Sequence, residues 1–242
     1  LGALAISTSP PLVADGLTHL HPRPTLSPDP RKGRASTLAQ SAATTLCWPS
    51  MAYHMQARGL AQIFENAPDE AARAFGEDRK AMSAGMMRQR PQDAAAAYKS
   101  YLRRLSDMLD DLPFVLGDVP CITDFAMYHP LWFTRVRTSV LSGVLKATPA
   151  GVDWMDRMAA IGHGSMEKFT AAEAIAVAAA SAPAALHDDV FQDEHGIALG
   201  SRVVISAESF GLESSEGELV AATRLHYTLR RIDERAGTVH VH

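Results

Sequence analysis

The sequence predicts a mainly α-helical bundle followed by a small, incomplete β module. Apolar residues recur at helical spacing from Arg34 to about Ala182, as on the buried faces of packed helices. After Pro183 the apolar residues alternate with polar ones, as in half-buried strands. A proline-rich stretch comes before both segments and shows neither the helical nor the strand periodicity. We therefore expect a lead-in over residues 1–33, a helical domain over 34–182 and a β-rich module over 183–242.

The first predicted helix begins near Arg34, and Pro49 interrupts its apolar pattern, which predicts a kink. A second helix should start after Pro68, where two acidic residues suit a first turn. The clearest helix spans about Asp93 to Leu112 and carries an apolar stripe at steps of three and four residues. The stripe comprises Tyr98, Leu102, Leu105, Leu109 and Leu112.

Later segments complete both parts of the prediction. Helices are predicted over residues 140–146 and 151–161, and a further one should begin at Thr170, which forms a capping box with Glu173. Four strands are predicted from "SRVVIS", "GELVAAT", "LHYTLRRI" and "GTVHVH", which are separated by turn-forming residues.

Composition limits the classes of function. The formal net charge of −4 gives no basic surface for nucleic acid, and no apolar run reaches the length of a membrane span. Two cysteines are too few for a disulfide scaffold and favour the reducing cytoplasm. The chain starts at Leu1 rather than Met and stops within a predicted strand. We therefore expect it to be a fragment of a longer protein.

The segment "GDVPCITDFAMYHPLWF", residues 117–133, has the pattern of a capped helix start. A helix that enters a core leaves its first backbone N–H groups without partners, and buried donors of this kind are costly. Cys121 occupies the capping position, and Asp124 lies three residues on, where its carboxylate can reach back to the cap. We therefore predict a structural role for both residues.

A thiol accepts hydrogen bonds weakly, so Cys121 is a poor substitute for the usual Ser or Thr cap. The alternative is a thiolate activated by the helix N-terminus, but such a cysteine also needs a basic neighbour and access to solvent. No basic residue lies nearby in the sequence. The substituted cap is the interpretation we favour.

Three segments together resemble the all-α C-terminal domain of the glutathione S-transferase superfamily. They are "TTLCWPSMAY", "YKSYLRRLSDMLDDLPFVLGD" and "PCITDFAMYHPLWF". The last is similar to a Gly-Asp-x-Pro-Ser-x-Ala-Asp-Phe pattern that opens a buried helix in that family. "WMDRMAAIGHGSMEKF" is similar to a bacterial branch. The resemblance covers about residues 34–182, and some bacterial members are similar in carrying a small β extension.

This resemblance implies a division of work between two domains. A thioredoxin-like half binds glutathione as co-substrate, and the helical half forms most of the pocket for a small hydrophobic electrophile. No βαβ unit of the thioredoxin-like half precedes Arg34, and we interpret "LVADGLTHLHPRP", within the lead-in 1–33, as a remnant of that half's last helix and linker. We therefore expect the chain alone to be inactive. By family analogy, Trp48, Tyr53 and Met55 would line the electrophile pocket. Family members usually dimerise, which implies a homodimer for the intact protein.

Two alternatives stay open. The chain could be a non-catalytic ligand-binding or protein-interaction module that keeps the helical fold, and core packing explains Trp48 and Met55 as well as pocket lining does. In the β module, His226, His240 and His242 could form a metal site. Alternating polar residues on an exposed strand face explain them more simply, since metal ligands need supporting hydrogen bonds. We therefore predict no metal site.

Overall fold

The computed structural model describes residue 26 and residues 31–87, 89–186, 190–192, 194–207, 210–223 and 226–242. These residues form two compact units. The helical unit contains Leu26 and residues 31–73 and 87–164, and the sheet unit contains residues 74–86 and 165–242. The predicted lead-in lies outside the described residues except for Leu26 and residues 31–33. The predicted domain boundaries remain predictions.

One long helical run opens the helical unit. It consists of α1 (Lys32–Ser41), a π turn (Ala42–Leu46) and α2 (Cys47–His54). The chain does not break at Pro49 but stays helical on both sides and widens into the π turn just before it. There the Cys47 N–H bonds to the carbonyl of Ala42, five residues back. Proline lacks the N–H that a regular helix would use, and the upstream widening accommodates that loss.

Two further helices follow this run. They are α3 (Ala57–Ile63) and α4 (Asp69–Met82), of which α4 starts after Pro68 as the sequence predicts and belongs to the sheet unit from residue 74 on. Acidic side chains occupy its first turn and basic ones its last, which suits the helix dipole.

The predicted central helix is α5, which spans Pro91–Met108 rather than Asp93 to Leu112. It begins with proline at its first position, where the missing N–H has no cost. Four stripe residues are buried, but Leu112 lies beyond the helix end and is 37 % exposed. Its place in the core stripe was a wrong prediction, because helical spacing has no meaning past the last turn.

The remaining helices of this unit are α6 (Ile122–Trp132), a second π turn (Phe133–Arg137), a 3₁₀ helix (Ser139–Ala147) and α7 (Pro149–Ala160). The 3₁₀ helix stands where an α-helix was predicted. The spacing of its apolar residues suits both a 3₁₀ helix and an α-helix. The periodicity therefore predicts a helix here but does not say which of the two types it is. Buried side chains from α1, the first π turn, α5, α6, the 3₁₀ helix and α7 meet in one core, against which Tyr53 of α2 packs. Trp154 and Tyr98 are its largest fully buried members.

The sheet unit combines α8 (Ala171–Ala179) with a four-stranded antiparallel sheet. Its strands, in sheet order, are β1 (Arg202–Ile205), β2 (Ser215–Ala222), β3 (Tyr227–Asp233) and β4 (Gly237–Val241). The predicted capping box is present, because the Glu173 carboxylate accepts from the Thr170 N–H at 2.7 Å while Thr170 Oγ1 accepts from the Glu173 N–H. Leu219, Ala222 and Leu229 form its small core. No helix in the described part of the chain is long and apolar enough to span a membrane.

Candidate functional site

Asp124 is the hydrogen-bonding centre of the buried start of α6. The side chain is fully buried and accepts from three N–H groups, each at 2.9 Å. Oδ2 accepts from the backbone of Cys121, and Oδ1 accepts from the backbone of Val115 and from the indole of Trp154. A carboxylate bonded in this way is satisfied without being available for chemistry. The structure therefore places Asp124 in a supporting role.

Cys121 lies at the N-cap of α6, in the extended backbone conformation that an N-cap requires. Its side chain is 1 % exposed, and burial raises the pKa of the thiol. A nucleophilic cysteine needs a lowered pKa and access to its substrate. The geometry at Cys121 provides neither of these.

The same helix start is tied to the segments that precede it. Thr123 Oγ1 donates to the carbonyl of Ala35 at 3.0 Å, and the Ile122 N–H donates to the carbonyl of Leu26 at 2.9 Å. Both bonds satisfy groups at the end of a buried helix, where unpaired groups are costly. The first bond fixes α1 against α6, and the second ties Leu26 to the start of α6.

A second buried polar cluster joins three helical segments around the Thr134 hydroxyl. Tyr98 OH lies 2.6 Å from Thr134 Oγ1, and His54 Nε2 is also hydrogen-bonded to it. Thr134 Oγ1 in turn donates to the carbonyl of Pro130 at 3.1 Å. All three side chains are fully buried. The cluster therefore links α2, α5 and the second π turn inside the core.

One arrangement of protons satisfies all three contacts of the Thr134 hydroxyl. A hydroxyl has one proton and two lone pairs. With its proton on the Pro130 carbonyl, Thr134 accepts from both Tyr98 and His54, so the imidazole proton is on Nε2. The buried Nδ1 has no hydrogen-bond partner among the described residues. Burial, and to a lesser degree nearby His129, lowers the pKa of His54 to about 4, so the ring is neutral at physiological pH.

Sequence reasoning missed His54 and Thr134 as polar core residues. His54 and Thr134 are 80 residues apart along the chain, and Tyr98 and Thr134 are 36 residues apart. No local pattern links residues at such distances. Tyr98 was predicted only as a member of the α5 stripe.

The three predicted pocket residues, Trp48, Tyr53 and Met55, lie in α2 or at its C-terminal end and are all half-buried. Tyr53 donates its hydroxyl proton to the carbonyl of Leu141 at 3.3 Å, and its ring centre lies 5.4 Å from that of Tyr98. The partial exposure of each side chain fits the rim of a pocket. It fits the edge of a core equally well.

Two cavities lie elsewhere. In the helical unit a polar cavity of about 380 Å³ is bounded by residues 62, 63 and 65–67 and by Val136 and Arg137. In the sheet unit an apolar cavity of about 260 Å³ lies on the sheet, between Phe191 and Leu219. At that cavity His195 Nε2 lies 3.0 Å from Tyr227 OH. Neither cavity is lined by the predicted pocket residues.

The thiols and several phenols of the helical unit are shifted away from their ionised forms. Burial raises the pKa of the Cys47 thiol, as it does for Cys121. It also raises the pKa of Tyr53, Tyr98 and Tyr101. A group that stabilises or forms a thiolate needs a shift in the opposite direction or an exposed donor. These five side chains are unsuited to that task.

Comparison with known proteins places this geometry in a family context. The sequence matches no protein-family model and no curated protein. Among solved structures, a GST-like protein from Pseudomonas syringae is 28 % identical, with a TM-score of 0.76, over 99 % of this chain and 76 % of that one.

Two further structures match less closely. A β-etherase from Sphingobium is 15 % identical, with a TM-score of 0.45, over 64 % of this chain and 70 % of that one. A glutathione S-transferase from Methylobacterium radiotolerans, in complex with glutathione sulfonate, is 18 % identical, with a TM-score of 0.41, over 66 % of this chain and 69 % of that one. Similarity at this level carries no argument about function.

The fold is glutathione S-transferase-like, and the glutathione S-transferase superfamily fits this chain. The match to the Pseudomonas protein covers nearly the whole chain, so it includes the sheet unit as well as the helical unit. About a quarter of that protein lies outside the match.

Proposed function

We propose that this chain forms the electrophile-binding side of a glutathione transferase. In the reaction, the sulfur of a glutathione thiolate attacks an electrophilic carbon of a small hydrophobic molecule. A carbon–sulfur bond forms, and a leaving group departs or a proton is taken up. The observation that carries the proposal is the similarity to the GST-like protein over 99 % of this chain at 28 % identity.

Trp48, Tyr53 and Met55 supply the apolar surface for the electrophile in this proposal. All three are half-buried around α2, which follows directly on a π turn. A second π turn contacts α2 and carries Thr134, whose hydroxyl binds His54. Widened turns of this kind often occur at functional sites, because they re-aim side chains without ending the helix.

Activation of glutathione is the part that we assign to residues outside this chain. The cysteines and tyrosines described above are buried or half-buried and have raised pKa values, so none of them is ionised at neutral pH. We infer that the chain alone binds the electrophile but does not conjugate it, and that the thiolate is stabilised by a thioredoxin-like segment.

The test is a glutathione conjugation assay with 1-chloro-2,4-dinitrobenzene as the model electrophile. The chain alone should give the background rate. A longer protein that joins a thioredoxin-like segment to this chain should give a rate that depends on both glutathione and electrophile. Conjugation by the chain alone would contradict the assignment of the thiolate site. Failure of the longer protein to conjugate any electrophile would contradict the function itself.

Variants of α2 test the pocket assignment. In the active longer protein, Tyr53→Phe and Met55→Ala should raise the KM for the electrophile more than the KM for glutathione. Met108→Ala is the matched control, because Met108 is a half-buried methionine packed against the same core at the end of α5. Equal changes in both KM values, or equal effects of the control, would show that α2 contributes packing only.

A non-catalytic binding module is the second candidate. The raised pKa values of the Cys47 and Cys121 thiols are compatible with this module as they are with the first candidate, because neither candidate assigns a reactive thiol to this chain. Such a module would bind a hydrophobic ligand or a protein partner with an affinity that glutathione does not change. Equilibrium binding with and without glutathione separates the two candidates.

Sedimentation of the longer protein tests the proposed homodimer.

A further inference from the structure

One face of the sheet is an apolar floor. Leu219 of β2 lies opposite Leu229 of β3, and after a shift in register Ala222 lies opposite Tyr227. Residues that lie opposite each other on antiparallel strands share a face, and so do residues two apart on one strand. The β-bulge therefore places Ala222 on the same face as Leu219. Val203 of β1 packs against this small core.

The chain before β1 lies against this floor and is held there at two points. Phe191 packs against the same core, and the Gln192 N–H donates to the carbonyl of Ala222 at 3.1 Å. Further along, His195 Nε2 lies 3.0 Å from Tyr227 OH. The apolar cavity of about 260 Å³ lies between the floor and these residues. All the described residues that line it belong to the sheet unit.

The polar groups at the cavity favour a ligand that donates a hydrogen bond. A hydroxyl has one proton and two lone pairs. Whether Tyr227 donates to His195 or accepts from it, its oxygen keeps at least one lone pair for a ligand. Glu194 is the one formally charged side chain among the described residues that line the cavity, and its carboxylate is also an acceptor. The site therefore disfavours an anion and favours a neutral donor.

We propose that this cavity binds a small neutral phenol, with its ring between Phe191 and Leu219 and its hydroxyl donating to Tyr227. The volume of about 260 Å³ fits one ring with a short substituent, because a cavity of about 150 Å³ already holds benzene. Apolar walls with a few polar groups are the usual composition of a small-molecule site. The site goes beyond the proposed function, since it lies in the sheet unit and a phenol lacks the electrophilic carbon that a thiolate attacks.

NMR titration of the isotopically labelled full chain with p-cresol tests the proposal. Saturable shifts should be confined to the residues that line the cavity, with a dissociation constant on the order of 1 mM or lower. Two ligands of similar size are matched controls. p-Methylanisole keeps the ring and the oxygen but lacks the donor, so it should bind roughly three- to tenfold more weakly. p-Toluate lacks a donor and carries a negative charge, so it should bind more weakly still.

Variants of the chain address the residues themselves. Tyr227→Phe removes the acceptor and keeps the ring, so it should weaken p-cresol binding roughly three- to tenfold. Tyr101→Phe removes a hydroxyl in the helical unit and should have no effect. Val203→Phe fills the cavity and should abolish binding. Ile232→Phe is its control and should bind normally, because Ile232 is 85 % exposed and does not line the cavity.

Thermal unfolding of each variant without ligand shows whether it is folded. A folded Tyr227→Phe variant with unchanged affinity would overturn the proposal, as would the absence of saturable shifts at millimolar p-cresol. Equal affinities of the natural sequence for p-cresol and p-methylanisole would also overturn it, because the site would then recognise apolar surface and not a donor. These measurements use neither glutathione nor an electrophile, so their outcome is independent of the proposed function.

Discussion

At the N-cap of α6 a sulfur atom stands where helices usually place a hydroxyl oxygen. Asp124 satisfies the Cys121 N–H, while the thiol itself is a weak acceptor. We expect Cys121→Ser to raise the free energy of unfolding by about 1 kcal/mol, because a hydroxyl caps more strongly. Chemical denaturation measures the change. Cys121→Ala is the control, and it should be no more stable than the natural sequence; equal gains in both variants would mean that loss of the thiol, and not capping, is responsible.

The neutral imidazole of His54 makes the stability of the helical unit depend on pH. Its pKa is about 4 in the folded chain and about 6.5 in the unfolded chain. Between these values the unfolded state binds more protons, so stability is complete above pH 6.5 and falls as the pH drops toward 4. The difference between the two pKa values limits the loss of unfolding free energy to about 3 kcal/mol. The loss ends below pH 4, where the folded ring is also protonated.

Denaturant unfolding between pH 7 and pH 4 checks this expectation. The difference in unfolding free energy between the natural sequence and His54→Gln should shrink across that interval, because the variant lacks the titrating ring. A difference that stays constant with pH would show that His54 is protonated alike in both states.

At the scale of elements, α3 packs against the end of α2 at a distance that only glycine permits. A methyl group on Gly59 would lie 2.0 Å from the carbonyl oxygen of His54, which is far inside van der Waals contact. We expect Gly59→Ala to destabilise the chain by at least about 2 kcal/mol through displacement of the backbone.

Gly33 offers a matched control in α1. No atom lies within 4 Å of the position of a methyl group there, so Gly33→Ala should stabilise the chain by up to about 1 kcal/mol. Thermal unfolding of both variants measures the contrast. Similar effects at the two sites would contradict the close packing of α2 and α3.

Local patterns predicted the helices and strands whose residues face one core. The α5 stripe and the strand alternation were sufficient for this purpose, because the burial of a face repeats with the period of the element. The π turns were not predicted, since they depend on how the chain adjusts around Pro49 and Pro130. The 3₁₀ geometry of Ser139–Ala147 was not predicted either, because its apolar spacing suits both helix types.

The same limit applies to the site. The bond from Asp124 to Cys121 spans three residues, so the sequence could indicate it. The bonds of Asp124 to Val115 and Trp154 span 9 and 30 residues and depend on tertiary structure. The residues of the His54, Tyr98 and Thr134 cluster are separated by even more residues along the chain, so no local pattern indicates their contacts.

At the scale of the whole molecule, residues 161–170 form a segment without helix or strand between α7 and α8, and every one of them is exposed. Exposed segments of this kind are preferred sites of proteolysis. We expect trypsin to cut after Lys168 before it cuts within the helices. Mass spectrometry of the first fragments identifies the site, and Lys168→Gln should delay their appearance. Earlier cleavage inside α5 would contradict the exposure described.

The two π turns change how the helical unit tolerates the loss of a residue. A regular helix advances about 100° per residue, so a deletion rotates everything beyond it by that angle. A π turn holds one residue more than an α turn, and removal of one residue from 133–137 would restore a regular helix. The helix would survive, but Thr134 would turn away from Tyr98 and His54. The extra residue therefore sets the angular phase at which the two ends of the helix face the core.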